Sequence, residues 1–238
     1  MTSSEPQSRK IFCVGLQKTG LTSLLRLMKA TGLDARGHDS AIRKTFFKRR
    51  DFDAVLAYYD TADFFCDWPT PLMYKLAFEK YGKDSLYILT VRKDARTWYE
   101  SIKRHNQYAH PLKNKHRFVF GRYYPHGFDD EHIAYYEQHV EEVVRFFTDK
   151  GALDQLLVLR VDEPGSVSKV AGFLNIDIDQ SAFPHANESR TDRKGLGNWF
   201  KLRINRLIQP AYARYMPHLR GKCPPQHQPI EPNGSSRR

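Results

Sequence analysis

The stretch KIFCVGLQKTGLTSLL, residues 10–25, decides how the rest of the chain is read. Its first part, IFCVG (11–15), is short, apolar and rich in β-branched and aromatic side chains, and it stops at Gly15, the pattern of a buried strand. From Thr22 the pattern is helical: Leu24, Leu25, Leu27 and Met28 make one apolar face, and Gly32 suits the C-terminal cap. Between strand and helix lies a polar loop with one lysine, Lys18, and a second glycine, Gly20. Such a loop is an anion site, because free backbone N–H groups and the helix dipole both point at it. Gly15 and Gly20 let the backbone approach a ligand, Lys18 adds a full charge, and Thr22 and Ser23 add hydroxyl donors.

Similar units recur along the chain. FFCD (64–67) reads as a short buried strand closed by Trp68-Pro69, and Thr70 caps a helix with Pro71 at its first position. SLYILTV (85–91) is the clearest strand, followed by a helix from Asp94 to about His105. LLVLRV (156–161) is another strand, followed by the helix of GSVSKVAGFLNI. SAIRKTFFKRR (40–50) reads as a helix, and residues 130–150 form a long amphipathic one through Ile133, Tyr136, Val140, Val143, Val144 and Phe147. Residues 107–129 lack clean periodicity and are rich in His, Tyr, Phe, Lys and Arg. With Tyr108, His110, Phe118, Tyr123 and Tyr124, they read as a substrate lid or a surface loop.

Recurring strand–loop–helix units imply an α/β fold: a mostly parallel central sheet flanked by helices. Ligands on such sheets bind beyond the carboxyl ends of the strands, so the loops after Val14, Cys66, Val91 and Val161 are expected to line one crevice. The reading divides the chain into a disordered arm (1–9), one domain (10–222) and a Pro-rich basic tail (223–238). No internal repeat is present.

The 238 residues carry 38 Lys and Arg against 27 Asp and Glu, a net charge of +11 that favours anionic partners. The three cysteines, Cys13, Cys66 and Cys223, form neither a disulfide framework nor a metal-knuckle spacing. Cys13 and Cys66 fall in buried strands, where a thiol behaves as a small apolar group. No apolar run nears the roughly 20 residues that span a bilayer. The first ten residues lack a signal-peptide core, so a cytoplasmic setting is expected. No His, Cys or carboxylate spacing argues for a metal.

The loop is not the common nucleotide P-loop. Gly15 and Gly20 have its spacing, but Leu21 stands where its lysine belongs. It resembles instead the 5′-phosphosulfate-binding loop of the sulfotransferases, Gly-x-x-Lys-(Thr/Ser)-Gly-Thr-Thr, which Lys18, Thr19, Gly20 and Thr22 match. Leu21 departs from it, giving up a hydroxyl and keeping its backbone N–H.

Three more stretches extend the resemblance. In VRKDARTWYES (91–101), Arg92 and Ser101 fit the arginine and serine that hold the 3′-phosphate of the donor, 3′-phosphoadenosine 5′-phosphosulfate (PAPS), nine residues apart where many members have eight. In FFCDWP (64–69), Asp67 aligns with the catalytic base of the cytosolic sulfotransferases, a histidine there. Asp67 either takes the acceptor proton or only orients substrate and caps the turn. His105, His110 and His139 are weaker base candidates. In DRKGLGNW (192–199), Arg193, Lys194 and Gly195 match a segment that closes over the 3′-phosphate. A solvated basic face is its competitor.

The resemblance thus implies a P-loop-like sulfotransferase fold and transfer of a sulfuryl group from PAPS to an acceptor hydroxyl or amine, without metal. Lys18 and Asp67 would be catalytic. Lys18, Thr19, Gly20, Leu21, Thr22, Ser23, Arg92, Ser101, Arg193, Lys194 and Gly195 would hold the donor. Small-molecule, glycan and lipid acceptors stay open, nucleic acid is not expected as a partner, and oligomeric state is unreadable. The rival readings are a P-loop-type small-molecule kinase, a nucleic-acid-binding protein and a non-catalytic sulfotransferase-like protein.

Overall fold

Strand residues alternate between the two faces of a sheet, and in this chain the alternation sorts aliphatic from aromatic side chains. A computed structural model describes residues 9–109, 116–120, 124–179, 183 and 196–215. In order the elements are β1 (Lys10–Cys13), α1 (Leu21–Ala30), β2 (Ala35–Arg36), α2 (Ser40–Lys44), α3 (Phe52–Tyr59), β3 (Phe64–Phe65), α4 (Thr70–Tyr81) and β4 (Ser85–Thr90). There follow α5 (Ala95–Asn106), α6 (His116–Phe120), α7 (Asp129–Asp149), β5 (Leu156–Leu159), α8 (Ser166–Leu174) and α9 (Leu196–Tyr215). The described residues within Met1–Val91 and Val140–Ala186 form one compact unit, and those within Arg92–His139 and Asn187–Gln228 another.

The first unit holds a five-stranded sheet in the order β2-β3-β1-β4-β5, with every pairing parallel. The fold is α/β, as the strand–loop–helix pattern requires. Ile11 and Cys13 of β1, Ile88 of β4 and Phe64 of β3 join Leu24, Leu27 and Met28 of α1 and Val167 and Val170 of α8 in one mainly aliphatic cluster. The residues alternating with them face the other way, and Phe12, Phe65 and Tyr87 among these are aromatic. Phe12 packs on Tyr59 at 5.0 Å, on Tyr87 at 5.5 Å and on Phe65 at 5.9 Å, and Tyr87 meets Phe147 of α7 at 4.7 Å. Each fully buried side chain of this size contributes about 2 kcal/mol.

Local chemistry sets the ends of the elements. Asp39 caps α2 by accepting from the backbone N–H of Ala41 and Ile42, and α2 runs on into a π-helical turn at Thr45–Arg49. Asp94 accepts from Thr97 N at 2.6 Å and starts α5. Thr70 differs from expectation. It is the first residue of α4 after Pro69, it makes no capping hydrogen bond, and its buried hydroxyl accepts from Tyr59 Oη at 3.2 Å. Burial against α3 took the hydroxyl that a cap would have used.

In the second unit, Trp98 of α5 stacks on Tyr136 of α7 at 4.9 Å. The described part of 107–129 is packed rather than a solvated flap: His116, Val119, Phe120, Tyr124 and Phe128 are all buried. His132 Nδ1–H donates to Phe128 O at 2.7 Å, so its Nε2 can accept from His116 Nε2–H, 3.0 Å away. Burial pushes the His116 pKa well below the usual histidine value, which suits this neutral pair. Among the described residues of the segment, His116, Phe120, Tyr124 and Phe128 serve packing. His110, Tyr123 and the side chain of Phe118 lie outside the described residues, as do residues 1–8 and 223–238. Among the described residues no helix is long and apolar enough to cross a membrane.

Cys13 and Cys66 are free and buried. Burial pushes the Cys13 thiol up to about 11 and that of Cys66 well above the usual value. A disulfide reagent added to the folded protein at about pH 8 should therefore leave both unmodified, and unfolding in urea should expose all three cysteines. Fast labelling of Cys13 or Cys66 without unfolding, read by peptide mass, would contradict their burial.

Candidate functional site

Parallel pairing brings the carboxyl ends of β1, β3, β4 and β5 to one edge of the sheet, and the loop after β1 rests against the other three. A Cβ on Gly15 would lie 2.0 Å from Thr90 Oγ1 and 2.5 Å from Thr90 O, so only glycine lets the loop lie on the end of β4. Thr19 Oγ1 donates to Leu16 O at 2.6 Å and sits 2.6 Å from Thr90 Oγ1. A Cβ on Gly20 would come within 2.8 Å of Val161 Cγ2, just past β5. Trp68 Nε1 donates to Gln17 Oε1 at 3.3 Å, tying the loop to the turn after β3.

The backbone of this loop is unusual in the way an anion cradle requires. Lys18 has φ +74° and Gly20 has φ +107°. Left-handed residues within a turn bring successive N–H groups towards one side, as in backbone anion nests. Lysine gains nothing from that conformation itself, which costs about 1 kcal/mol for a residue with a Cβ. Gly20 is also the N-cap of α1, and no acidic residue stands in the first turn of that helix. Leu21 N and Thr22 N belong to the first turn, where N–H groups lack helical acceptors. The Ser23 N–H instead donates to Gly20 O at 3.0 Å.

Three residues of the loop have packing roles that the sequence did not show. Gly15 is required by the approach to Thr90. Thr19 is turned inward and 1% exposed, and its N–H donates to Leu16 O at 3.3 Å. It braces the loop. Leu21 joins the aliphatic cluster with Leu24 and Val167, so the residue that departs from the sulfotransferase pattern serves as core. Thr22 is exposed, and Lys18, Gly20 and Ser23 are half-buried.

Asp67 follows β3, the neighbour of β1 in the sheet. Its φ is +71°. Its Oδ1 accepts from Trp68 N at 2.7 Å, and its carbonyl accepts from Thr70 N at 2.9 Å, closing the turn into α4. Oδ2 lies 3.7 Å from His38 Nδ1, and the side chain is 27% exposed. Burial lowers the Arg43 pKa, and the charge of Asp67 acts against that shift. Asp67 therefore closes its turn with one oxygen while the other faces His38. Sequence reasoning missed His38 and Arg43, which come near Asp67 only through the tertiary fold.

Arg92 and Ser101 are in the second unit. Arg92 N donates to Tyr136 Oη at 2.8 Å, and the Tyr136 ring is fixed by stacking on Trp98. Tyr136 read from sequence as one apolar position among several, and its hydroxyl proves to hold the arginine's backbone. Ser101 is buried in α5 at 6% exposure. Of the weaker base candidates, His105 is exposed, and His139 is buried with its ring stacked on Tyr135. Arg193, Lys194 and Gly195 lie outside the described residues. Among the described residues, no three His, Cys, Asp or Glu side chains gather as a metal site.

The chain matches the family model described as a sulfotransferase domain over residues 10–191. It belongs to the sulfotransferase domain family. No curated protein matches it. The span matched in this sulfotransferase begins with β1 and includes the Lys18 loop, Asp67, Arg92 and Ser101.

Because Leu21 is core, restoring the family's threonine has a cost. Leu21→Thr should lower stability by about 2 kcal/mol, through lost packing and a poorly satisfied hydroxyl. Urea unfolding checks this, and an unchanged midpoint would show that Leu21 does not pack as described.

Proposed function

We propose that this sulfotransferase moves a sulfuryl group from PAPS to a hydroxyl or amine of its acceptor, in line and without a metal. One arrangement carries the reading: the left-handed Lys18–Gly20 loop at the N-terminus of α1, with the Asp67 carboxylate beside it at the end of the adjoining strand. The glycine-dependent fit of the loop against Thr90 and Val161 leaves its polar edge to a ligand, which suits a phosphosulfate.

When bound, PAPS supplies an activated sulfuryl group and a phosphate leaving group. Lys18, with the N–H groups of Gly20, Leu21 and Thr22, holds the 5′-phosphate end. The Lys18 ammonium stabilises negative charge on the leaving oxygen as the S–O bond breaks. The Thr22 hydroxyl, exposed beside these amides, adds a donor. Asp67 takes the acceptor proton through Oδ2, its Oδ1 being engaged by Trp68 N. His38 and Arg43 stand beside that carboxylate. Thr19 and Thr90 contribute by fixing the loop in advance, so that little reorganisation is left for the reaction. Arg92, with its backbone set by Tyr136, binds the 3′-phosphate, and Ser101, Arg193, Lys194 and Gly195 belong to that end. The acceptor is a small molecule, glycan or lipid.

The decisive experiment is calorimetric titration with the product nucleotide, 3′-phosphoadenosine 5′-phosphate, beside ATP with magnesium. Micromolar binding of the product nucleotide is expected, with no signal from ATP. Lys18→Ala and Arg92→Ala should each weaken binding roughly ten- to hundredfold, the loss of one charge-assisted contact. No binding of the product nucleotide would overturn the donor assignment, and tight magnesium-dependent binding of ATP would favour a kinase.

A further inference from the structure

The helix α9 (Leu196–Tyr215) is inside out. A surface helix normally buries its apolar face and exposes its polar one. Among its described side chains the most deeply buried are amides: Asn205 is 0% exposed and Gln209 1%. Several large apolar side chains face solvent while Leu202 and Ile204 are half-buried: Trp199 is 52% exposed, Phe200 59% and Leu207 75%.

Hydrogen bonds enforce this orientation. The last carbonyls of a helix have no helical partner, and α9 supplies them for the end of α5. Asn205 Nδ2 donates to Gln107 O and Ala109 O, each at 2.8 Å, and Gln209 Nε2 donates to Asn106 O at 3.0 Å. Asn205 and Gln209 are one turn apart and so act from one face. Rotating α9 to hide Trp199 and Leu207 would break all three bonds and strand buried amides. With 3.6 residues per turn, Phe200, Arg203 and Leu207 then fall on the opposite side of the helix, with Trp199 and Arg206 along one margin of that exposed face.

That outward stripe mixes apolar and cationic groups. Arg203 and Arg206 are exposed, and the Arg203 guanidinium lies 5.0 Å from the Trp199 ring centroid. From Arg190 to Lys222 the sequence has nine Lys or Arg and one acidic residue, Asp192. An apolar stripe with tryptophan, interleaved with arginine and flanked by further positive charge, has the chemistry of a helix lying in a membrane interface. Its rings and aliphatic groups reach the acyl boundary, and its guanidiniums pair with lipid phosphates and carboxylates.

We propose that the outward face of α9 docks this protein on an anionic phospholipid surface, peripherally, through Trp199, Phe200 and Leu207 with Arg203 and Arg206. The binding is electrostatic and apolar together, so it weakens with salt and does not occur on neutral bilayers. The surface stands independently of the proposed donor chemistry.

The test uses the full chain with vesicles of phosphatidylcholine alone or with about 30% phosphatidylserine. Trp68 and Trp98 are 4% and 0% exposed, so a change in tryptophan emission reports mainly on Trp199. The expected result is co-sedimentation with the phosphatidylserine vesicles, a blue shift, and quenching by brominated acyl chains. The combined change Trp199→Ser, Phe200→Ser, Leu207→Ser, and separately Arg203→Glu with Arg206→Glu, should each reduce partitioning at least tenfold, with circular dichroism and melting temperature unchanged. Should either variant lose its fold, the bromine quenching of the unaltered chain decides alone. Equal binding to both vesicles, binding without quenching, or undiminished binding by the folded variants would overturn the proposal. So would a concentration-dependent dimer, or a nucleic-acid complex, that uses this stripe in place of vesicles.

Discussion

Gly15 and Thr90 approach so closely that a β-carbon on Gly15 would sit 2.0 Å from Thr90 Oγ1. That contact lays the first loop across the end of β4, and much else follows from it. The Thr90 hydroxyl meets Thr19 at 2.6 Å, and Thr19 in turn closes the loop on Leu16 O at 2.6 Å. With the loop so pinned, Lys18 and Gly20 are forced to positive φ, and the first turn of α1 presents its N–H groups at the sheet edge. Packing beneath the loop sets the shape of the proposed anion cradle. For the proposed function this is preorganisation in its simplest form: the backbone dipoles are held in place by the core beneath them.

The sheet supports this arrangement by keeping its two faces chemically distinct. Ile11 and Cys13 of β1, Ile88 of β4 and Phe64 of β3 anchor the aliphatic face of α1, Leu21 included. Phe12, Phe65 and Tyr87 pack on the opposite face around Tyr59 and Phe147. Leu21 joins the two levels, since its backbone belongs to the cradle while its side chain belongs to the core. A threonine there would serve a ligand better and the core worse. The chain has the leucine, and its sulfotransferase domain match over 10–191 holds despite it.

Much of this was legible in the sequence, and the misses have physical causes. β1, β4 and β5 could be read because each is an apolar run ended by a turn signal. The two-residue edge strand β2 could not, because Ala35–Arg36 has too few residues to show a period. α9 escaped because its buried contacts are made by the amides of Asn205 and Gln209, so no apolar stripe marks it in the sequence, and Pro210 within it argues locally against a helix. In the candidate site, Lys18 and Gly20 were legible because spacing within one loop carries their meaning. His38 and Arg43 were not, because their relation to Asp67 exists only after the segment beyond β2 folds against the end of β3. Thr19 was legible as a motif residue but not as a strut, since its partner Thr90 lies 71 residues away.

The central claim is that the backbone of this one loop, shaped by Thr90, is where the donor's phosphate binds. The most direct measurement is amide chemical shifts in a nitrogen-15-labelled protein during titration with 3′-phosphoadenosine 5′-phosphate. α8 offers an internal control, because it also begins at a left-handed glycine, Gly165 with φ +73°. The account predicts large, saturable shifts at Gly20, Leu21 and Thr22, with the amides of Gly165 and Ser166 unmoved. Shifts centred on the start of α8, or saturation without movement at Gly20–Thr22, would contradict it.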